Sequence, residues 1–182
     1  MPNYRRGSLK GGTYFFTVVT YRRQQILCNK NIMAALRNGI QDARKHHPFE
    51  INGWVLLPDH IHCIWTLPAN DANFSIRWAI IKRTVSKQCG PSLQREGWVN
   101  ESRLRRKESA LWQRRFWEHQ IRDECDYERH MNYLHFNPVK HGYVKSVADW
   151  PHSTFHRYVN QGVYEKDWAS NDSDTIAREY GE

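Results

Sequence analysis

The chain has 182 residues, 40% apolar and 25% charged, the composition of one globular domain, which excludes wholesale disorder. Its net charge of +8 and its 13% aromatic content, with eight Trp, suit a polyanionic partner whose unpaired bases stack on rings. No run approaches the roughly 18 apolar residues of a membrane span, the opening MPNYRRGSLKGG has no signal-peptide core, and Cys28, Cys63, Cys89 and Cys125 have no C-x-x-C spacing, so a cytoplasmic chain with reduced thiols is expected rather than a zinc-thiolate or disulfide protein.

Thr13 to Tyr21 (TYFFTVVTY) is rich in β-branched and aromatic residues after Gly-Gly and reads as a strand. Asn31 to His46 places Ile32, Ala35, Leu36 and Ile40 at helical spacing. Ile51 to Leu57 and His60 to Leu67 read as strands of a hairpin around the turn signal Pro58-Asp59. Phe74 to Gln88, with Phe74, Trp78, Ile81 and Val85, is a second helix. Residues 90–110 are polar and basic and read as a long loop or insertion. Trp112 to Ile121 is the fourth strand, and Asp123 to Phe136 a third helix stopped by Asn137-Pro138. The order β-α-β-β-α-β followed by a helix is α+β, the ferredoxin-like split βαβ, predicting an antiparallel sheet with helices on one face.

Charge divides the chain. Residues 1–23 hold Arg5, Arg6, Lys10, Arg22 and Arg23 and no acid, a local +5. Residues 161–182 hold two basic and six acidic residues, a local −4, which leaves +12 for residues 1–160. Residues 1–160 are therefore expected to form the domain. The segment 161–182 is an acidic tail that either competes with nucleic acid for the basic face or is a solvated terminus.

The chemistry lies on the third strand and the last helix. In PDHIHCIW, His60 and His62 share a strand face, about 7 Å apart along the backbone, while Ile61, Cys63 and Trp65 face the other way. Two imidazoles so placed can converge on one metal ion, or stand as two solvated side chains. On the helix, Tyr133 and Asn137 are four residues apart and share a face. An amide oxygen can ligate a metal and a neighbouring phenol can be a nucleophile. The alternatives are a half-buried Tyr and a polar residue ahead of Pro138. Glu118 and His119, on the expected fourth strand, are candidates to orient a ligand histidine. Lys140 and His141, after the helix, are candidates for phosphate contact.

The segments PDHIHCIW, RRFWEHQIRD and YLHFNPVKHGYV, with NYRRG before them and DWPHSTFHRYV after, resemble the REP-associated tyrosine transposases, single-tyrosine members of the HUH endonuclease superfamily. The resemblance runs from about Asn3 to Trp168. The basic stretch near 91–110 is longer than the family pattern. The resemblance implies an HUH endonuclease fold and binding of single-stranded DNA folded into imperfect hairpins, the repetitive extragenic palindromes of bacterial genomes. It implies cleavage beside the hairpin and rejoining through a covalent 5′-phosphotyrosine. By motif, His60 and His62 are metal ligands, Asn137 takes the place of the third, and Tyr133 is the nucleophile. Asn3, Tyr4, Arg5 and Arg6 would meet the unpaired foot of the hairpin.

Elementary chemistry agrees. A free phenol has a pKa near 10, so at pH 7 it is a poor nucleophile, and a divalent cation can polarise the phosphate it attacks. Mg²⁺ or Mn²⁺ suits phosphate, and Mn²⁺ favours a nitrogen-rich site. Exchange of one phosphate ester for another needs no nucleotide cofactor, and no Walker-type glycine loop is present. Neither a catalytically silent hairpin-binding module nor a metal-dependent phosphoester hydrolase is excluded by these residues. The oligomeric state is left open.

Helical geometry chooses between two tyrosines. At about 100° and 1.5 Å per residue, Tyr133 lies about 40° and 6 Å from Asn137, whereas Tyr127 lies about 80° and 15 Å away.

Overall fold

The computed structural model describes residues 10–93, 105 and 110–169. Four strands, β1 (Thr13–Val19), β2 (Glu50–Leu56), β3 (His60–Thr66) and β4 (Trp117–Gln120), form one sheet in the order β2-β3-β1-β4. All neighbouring pairs are antiparallel. Between them run α1 (Lys30–His46) and α2 (Phe74–Leu93), followed by α3 (Glu124–Lys140) and a short α4 (Phe155–Asn160). This is the expected α+β, split βαβ architecture.

Period-two alternation on β1 and β3 makes a two-faced sheet. Tyr14, Phe16 and Val18 point with Ile61, Cys63 and Trp65 into the core under α1 and α2, where Trp65 stacks on Trp78 at 4.4 Å. Phe15, Val55 and Ile64 form a second core with Met131 and Leu134 of α3. The helices expected on one face are thus α1 and α2, while α3 covers the other face. Gly53 permits that approach: a Cβ there would stand 2.9 Å from the Met131 sulfur.

Three boundaries depart from expectation. β4 begins at Trp117, not Trp112, because Gln113, Arg114 and Arg115 are exposed and only a single bridge, Thr20 to Trp112, precedes it. α2 runs through Gly90 and Pro91 to Leu93, into the segment read as a loop; residues 94–104 and 106–109 of that segment lie outside the described residues. α3 does not stop at Asn137-Pro138 but continues to Lys140. Pro138 falls in the last turn, where its missing amide deprives only one carbonyl. A Schellman ending then closes the helix. Tyr143 N–H donates to the Pro138 carbonyl and Gly142 N–H to that of Val139, both at 2.9 Å, with Gly142 at φ +70°.

The segment after α3 docks along β2. Leu56 N–H donates to the His152 carbonyl, and Thr154 N–H to that of Trp54, so the outer edge of the sheet is covered. Tyr164 and Trp168, within the expected tail, pack on Phe155. All four cysteines are free. Among the described residues no helix is long and apolar enough to cross a membrane.

Candidate active site

β3 presents His60 and His62 toward α3, because their partners across β1, Val19 and Thr17, lie on the face opposite the α1–α2 core. Both rings are buried, 3% and 2% exposed, with centroids 4.8 Å apart. Each Nδ1 already has a partner. His60 Nδ1 is 2.6 Å from Asp59 Oδ1, and His62 Nδ1 is 2.9 Å from Thr17 Oγ1. Burial raises the Asp59 carboxyl, but the bonds and charges of His60 and Arg23 outweigh it and hold the pKa below the ordinary value. An ionised carboxylate only accepts, so His60 donates from Nδ1. Burial first, then the charges of His60 and His141, hold His62 well below its ordinary pKa, so it is a neutral imidazole.

α3 supplies the opposite wall. Its Asp123 cap and its first-turn acids Glu124 and Asp126 fix the helix start. Asn137, fully buried, donates its Nδ2 to the Tyr133 carbonyl at 2.9 Å, which leaves Oδ1 inward. The carboxamide is close enough to His62 to favour its charged form slightly, yet Asn137 Oδ1 and His62 Nε2 are both buried without a hydrogen-bond partner. Each such atom costs about 1–3 kcal/mol. With its proton on Nδ1 toward Thr17 Oγ1, His62 offers a lone pair at Nε2, and a cation between it and Asn137 Oδ1 removes both costs, so His60, His62 and Asn137 fit a divalent metal.

The Tyr133 ring lies 5.3 Å from His62 and 5.9 Å from Phe15, and Lys140 Nζ lies 4.8 Å from its centroid. His141 stands 5.1 Å from His60; burial first, then the charge of His60, lowers its pKa. Lys140 and His141 therefore border the histidine pair, where the helix ending holds them. Tyr127 is elsewhere: burial first, then the Tyr158 hydroxyl, pushes its phenol far up.

Other expectations fall differently. Glu118 pairs with Phe16, whose ring lies in the α1–α2 core, so it is on the far side of the sheet from the histidines and cannot orient them. The alternation that puts His119 on the site face necessarily excludes its neighbour. His119 Nε2 is bonded to Asp126 Oδ2 at 2.8 Å and its ring stacks on His130 at 4.4 Å, so it orients neither His60 nor His62. Asn3, Tyr4, Arg5 and Arg6 lie outside the described residues. Sequence reasoning missed Asp59, Thr17 and Arg23. Asp59 could have been found as the acid next to His60, whereas Thr17 needs the strand register.

No protein-family model matches the chain. It is 48% identical over 180 residues to the REP-associated tyrosine transposase of Escherichia coli (strain K12), covering 98% of each chain. It is 44% identical over 171 residues to a putative REP-associated tyrosine transposase of Haemophilus influenzae, covering 94% of this chain and 95% of that one. A solved structure of a REP-associated tyrosine transposase bound to a REP hairpin superposes with a TM-score of 0.78 at 47% identity, covering 94% of both chains. That similarity extends over nearly the whole sequence, and the chain belongs to the REP-associated tyrosine transposases.

Proposed function

We propose that the chain cleaves and rejoins single-stranded DNA beside REP hairpins, through a 5′-phosphotyrosine on Tyr133. The observation that carries this reading is the pair of buried, unpartnered acceptors, His62 Nε2 and Asn137 Oδ1, beside His60 and under Tyr133. Held by His60, His62 and Asn137, Mg²⁺ or Mn²⁺ would polarise the scissile phosphate and stabilise the charge that builds on it.

The chain's own residues do the rest. Arg23 holds Asp59 at 3.2 Å, and Asp59 holds His60, so the ligand ring is fixed through two bonds. The Tyr133 hydroxyl loses its proton and forms a bond to phosphorus. The bond from phosphorus to the 3′ oxygen breaks, and that oxygen takes up a proton. The Lys140 ammonium lies over the Tyr133 ring, where it can meet the phosphate that the phenol attacks. One ester replaces another, so the step reverses when a 3′-hydroxyl attacks, and strands rejoin without a nucleotide. Lys140 and His141 serve the flanking phosphates. Asn3, Tyr4, Arg5 and Arg6 serve the unpaired foot.

A labelled hairpin with an unpaired foot tests the reading. Wild-type protein with Mg²⁺ or Mn²⁺ should yield cleaved strand covalently attached to protein. His60→Ala or His62→Ala should abolish cleavage while hairpin binding survives, since most positioning contacts are to phosphate. Cleavage that persists in excess chelator contradicts the metal. Cleavage without an adduct indicates a hydrolase, and binding without cleavage a silent module.

A further inference from the structure

A second polar cluster lies on the same sheet face, across the Phe15 ring from the first. The Phe15 centroid is 5.3 Å from His62 and 5.0 Å from His130. Beyond it, His119, Asp126 and His130 offer two imidazoles and a carboxylate whose ligand atoms all lie within 4.8 Å of one another. Asp126 and His130 are four residues apart on α3 and project from one helix face; His119 reaches them from β4. Asp126 Oδ2 is 2.8 Å from His119 Nε2, and Oδ1 is 3.1 Å from His130 Nδ1. The two rings are parallel to within 13°.

We propose that His119, Asp126 and His130 form a binding site for a divalent transition-metal ion of the Zn²⁺ class, separate from the pair at His60 and His62. The donor set decides the class of ion. Two imidazoles and a carboxylate with one open position suit Zn²⁺, whereas Mg²⁺ prefers oxygen ligands throughout. Bonds of about 2.0–2.2 Å around a tetrahedral ion place ligand atoms about 3.4 Å apart, and metal binding exchanges the bond of His130 Nδ1 to the Asp126 carbonyl, 2.8 Å away, for the ion. The side chains are 20%, 15% and 20% exposed, so an ion enters from solvent and its fourth position meets water.

The site also has a mechanical consequence. β4 has four residues and, among the described residues, pairs only with β1. An ion here ties that strand to α3 one turn before Tyr133. It fixes the helix that carries Tyr133 and touches no reacting atom.

Co²⁺ is the probe, with the full chain carrying His60→Ala and His62→Ala so that the first site is disabled. One Co²⁺ per chain should bind with visible d–d absorption and be displaced by Zn²⁺. Adding His119→Ala or His130→Ala should weaken Co²⁺ binding by at least about a hundredfold, since even indirect partners of a metal cost 10–100-fold. Absence of Co²⁺ binding, or binding unaffected by these changes, overturns the proposal. If a ligand variant fails to fold, thermal unfolding decides instead. Zn²⁺ should raise the Tm of the His60→Ala, His62→Ala chain and leave it unchanged once Asp126→Asn is added. No rise, or a rise that survives Asp126→Asn, overturns the proposal equally.

Discussion

Asp59 occupies the turn between β2 and β3, and its carboxylate links Arg23 to His60. A residue that reads in the sequence only as half of a Pro-Asp turn therefore also sets the tautomer of a candidate ligand. His135 shows the same economy of protonation. Its Nε2 is 3.0 Å from Thr154 Oγ1, its Nδ1 is buried without a partner, and burial first, then the Arg157 charge, lowers its pKa to about 3. Burial also holds His62, His130 and His141 below the ordinary value. The folded state thus favours the neutral rings, so this stability is fully present above about pH 6.5, the unfolded histidine value. It is lost as pH falls, by up to about 1.4 kcal/mol per pH unit for each of the buried rings His62 and His135, and by less for His130 and the exposed His141. The Tm in chelator should hold between pH 7.5 and about pH 6.5 and then fall toward pH 5, and His135→Gln should flatten that fall. A Tm constant down to pH 5 contradicts this assignment. The His-x-His face, Tyr133 and Asn137 were legible because strand and helix periods fix which residues share a face. Arg77, fully buried and bonded to the carbonyls of His47, Asn73 and Pro48 and to Asp71, was not, because its partners come from two loops.

At the scale of elements, close backbone approach matters as much as periodicity. Gly39 sits where α1 crosses α2, and a Cβ there would lie 3.1 Å from the Ile81 Cα and 3.2 Å from its carbonyl oxygen. Gly39→Ala gains up to about 1 kcal/mol of helix propensity. Overpacking against a backbone that cannot rotate away costs about 1–3 kcal/mol. The net expectation is destabilisation, read as a lower denaturant midpoint; a higher midpoint would mean that the helices separate freely. Strand and helix identities were legible because apolar alternation on β1 and β3 and the stripes on α1 and α2 are strong. The ends of β4 and α3 were not. The first depends on where exposed Gln113, Arg114 and Arg115 leave the sheet. The second depends on a Schellman closure that accommodates Pro138 in a final turn.

At the scale of the molecule, charge should govern DNA binding. Log affinity for a hairpin should fall linearly with log salt, by roughly 0.7 per phosphate contact on single strands. A perfect duplex of the same sequence should bind more weakly; equal binding contradicts hairpin recognition. The tail prediction follows the packing. Tyr164 and Trp168 are anchored on Phe155, so the informative deletion is residues 170–182, which hold four acidic residues and one arginine. Removing them should raise hairpin affinity or cleavage at low salt, and unchanged activity would make this segment a solvated terminus. The basic character of residues 1–160 was legible from composition alone, whereas the covering of β2 by the segment around His152 and Thr154 depends on contacts a hundred residues apart.

The central claim is that Tyr133 carries the DNA. Mass spectrometry of the peptide attached to cleaved hairpin strand tests it most directly, with Tyr133→Phe and Tyr127→Phe run in parallel. DNA should be found on the peptide containing Tyr133, with no adduct in Tyr133→Phe and a normal adduct in Tyr127→Phe. An adduct that survives Tyr133→Phe and vanishes in Tyr127→Phe would contradict it.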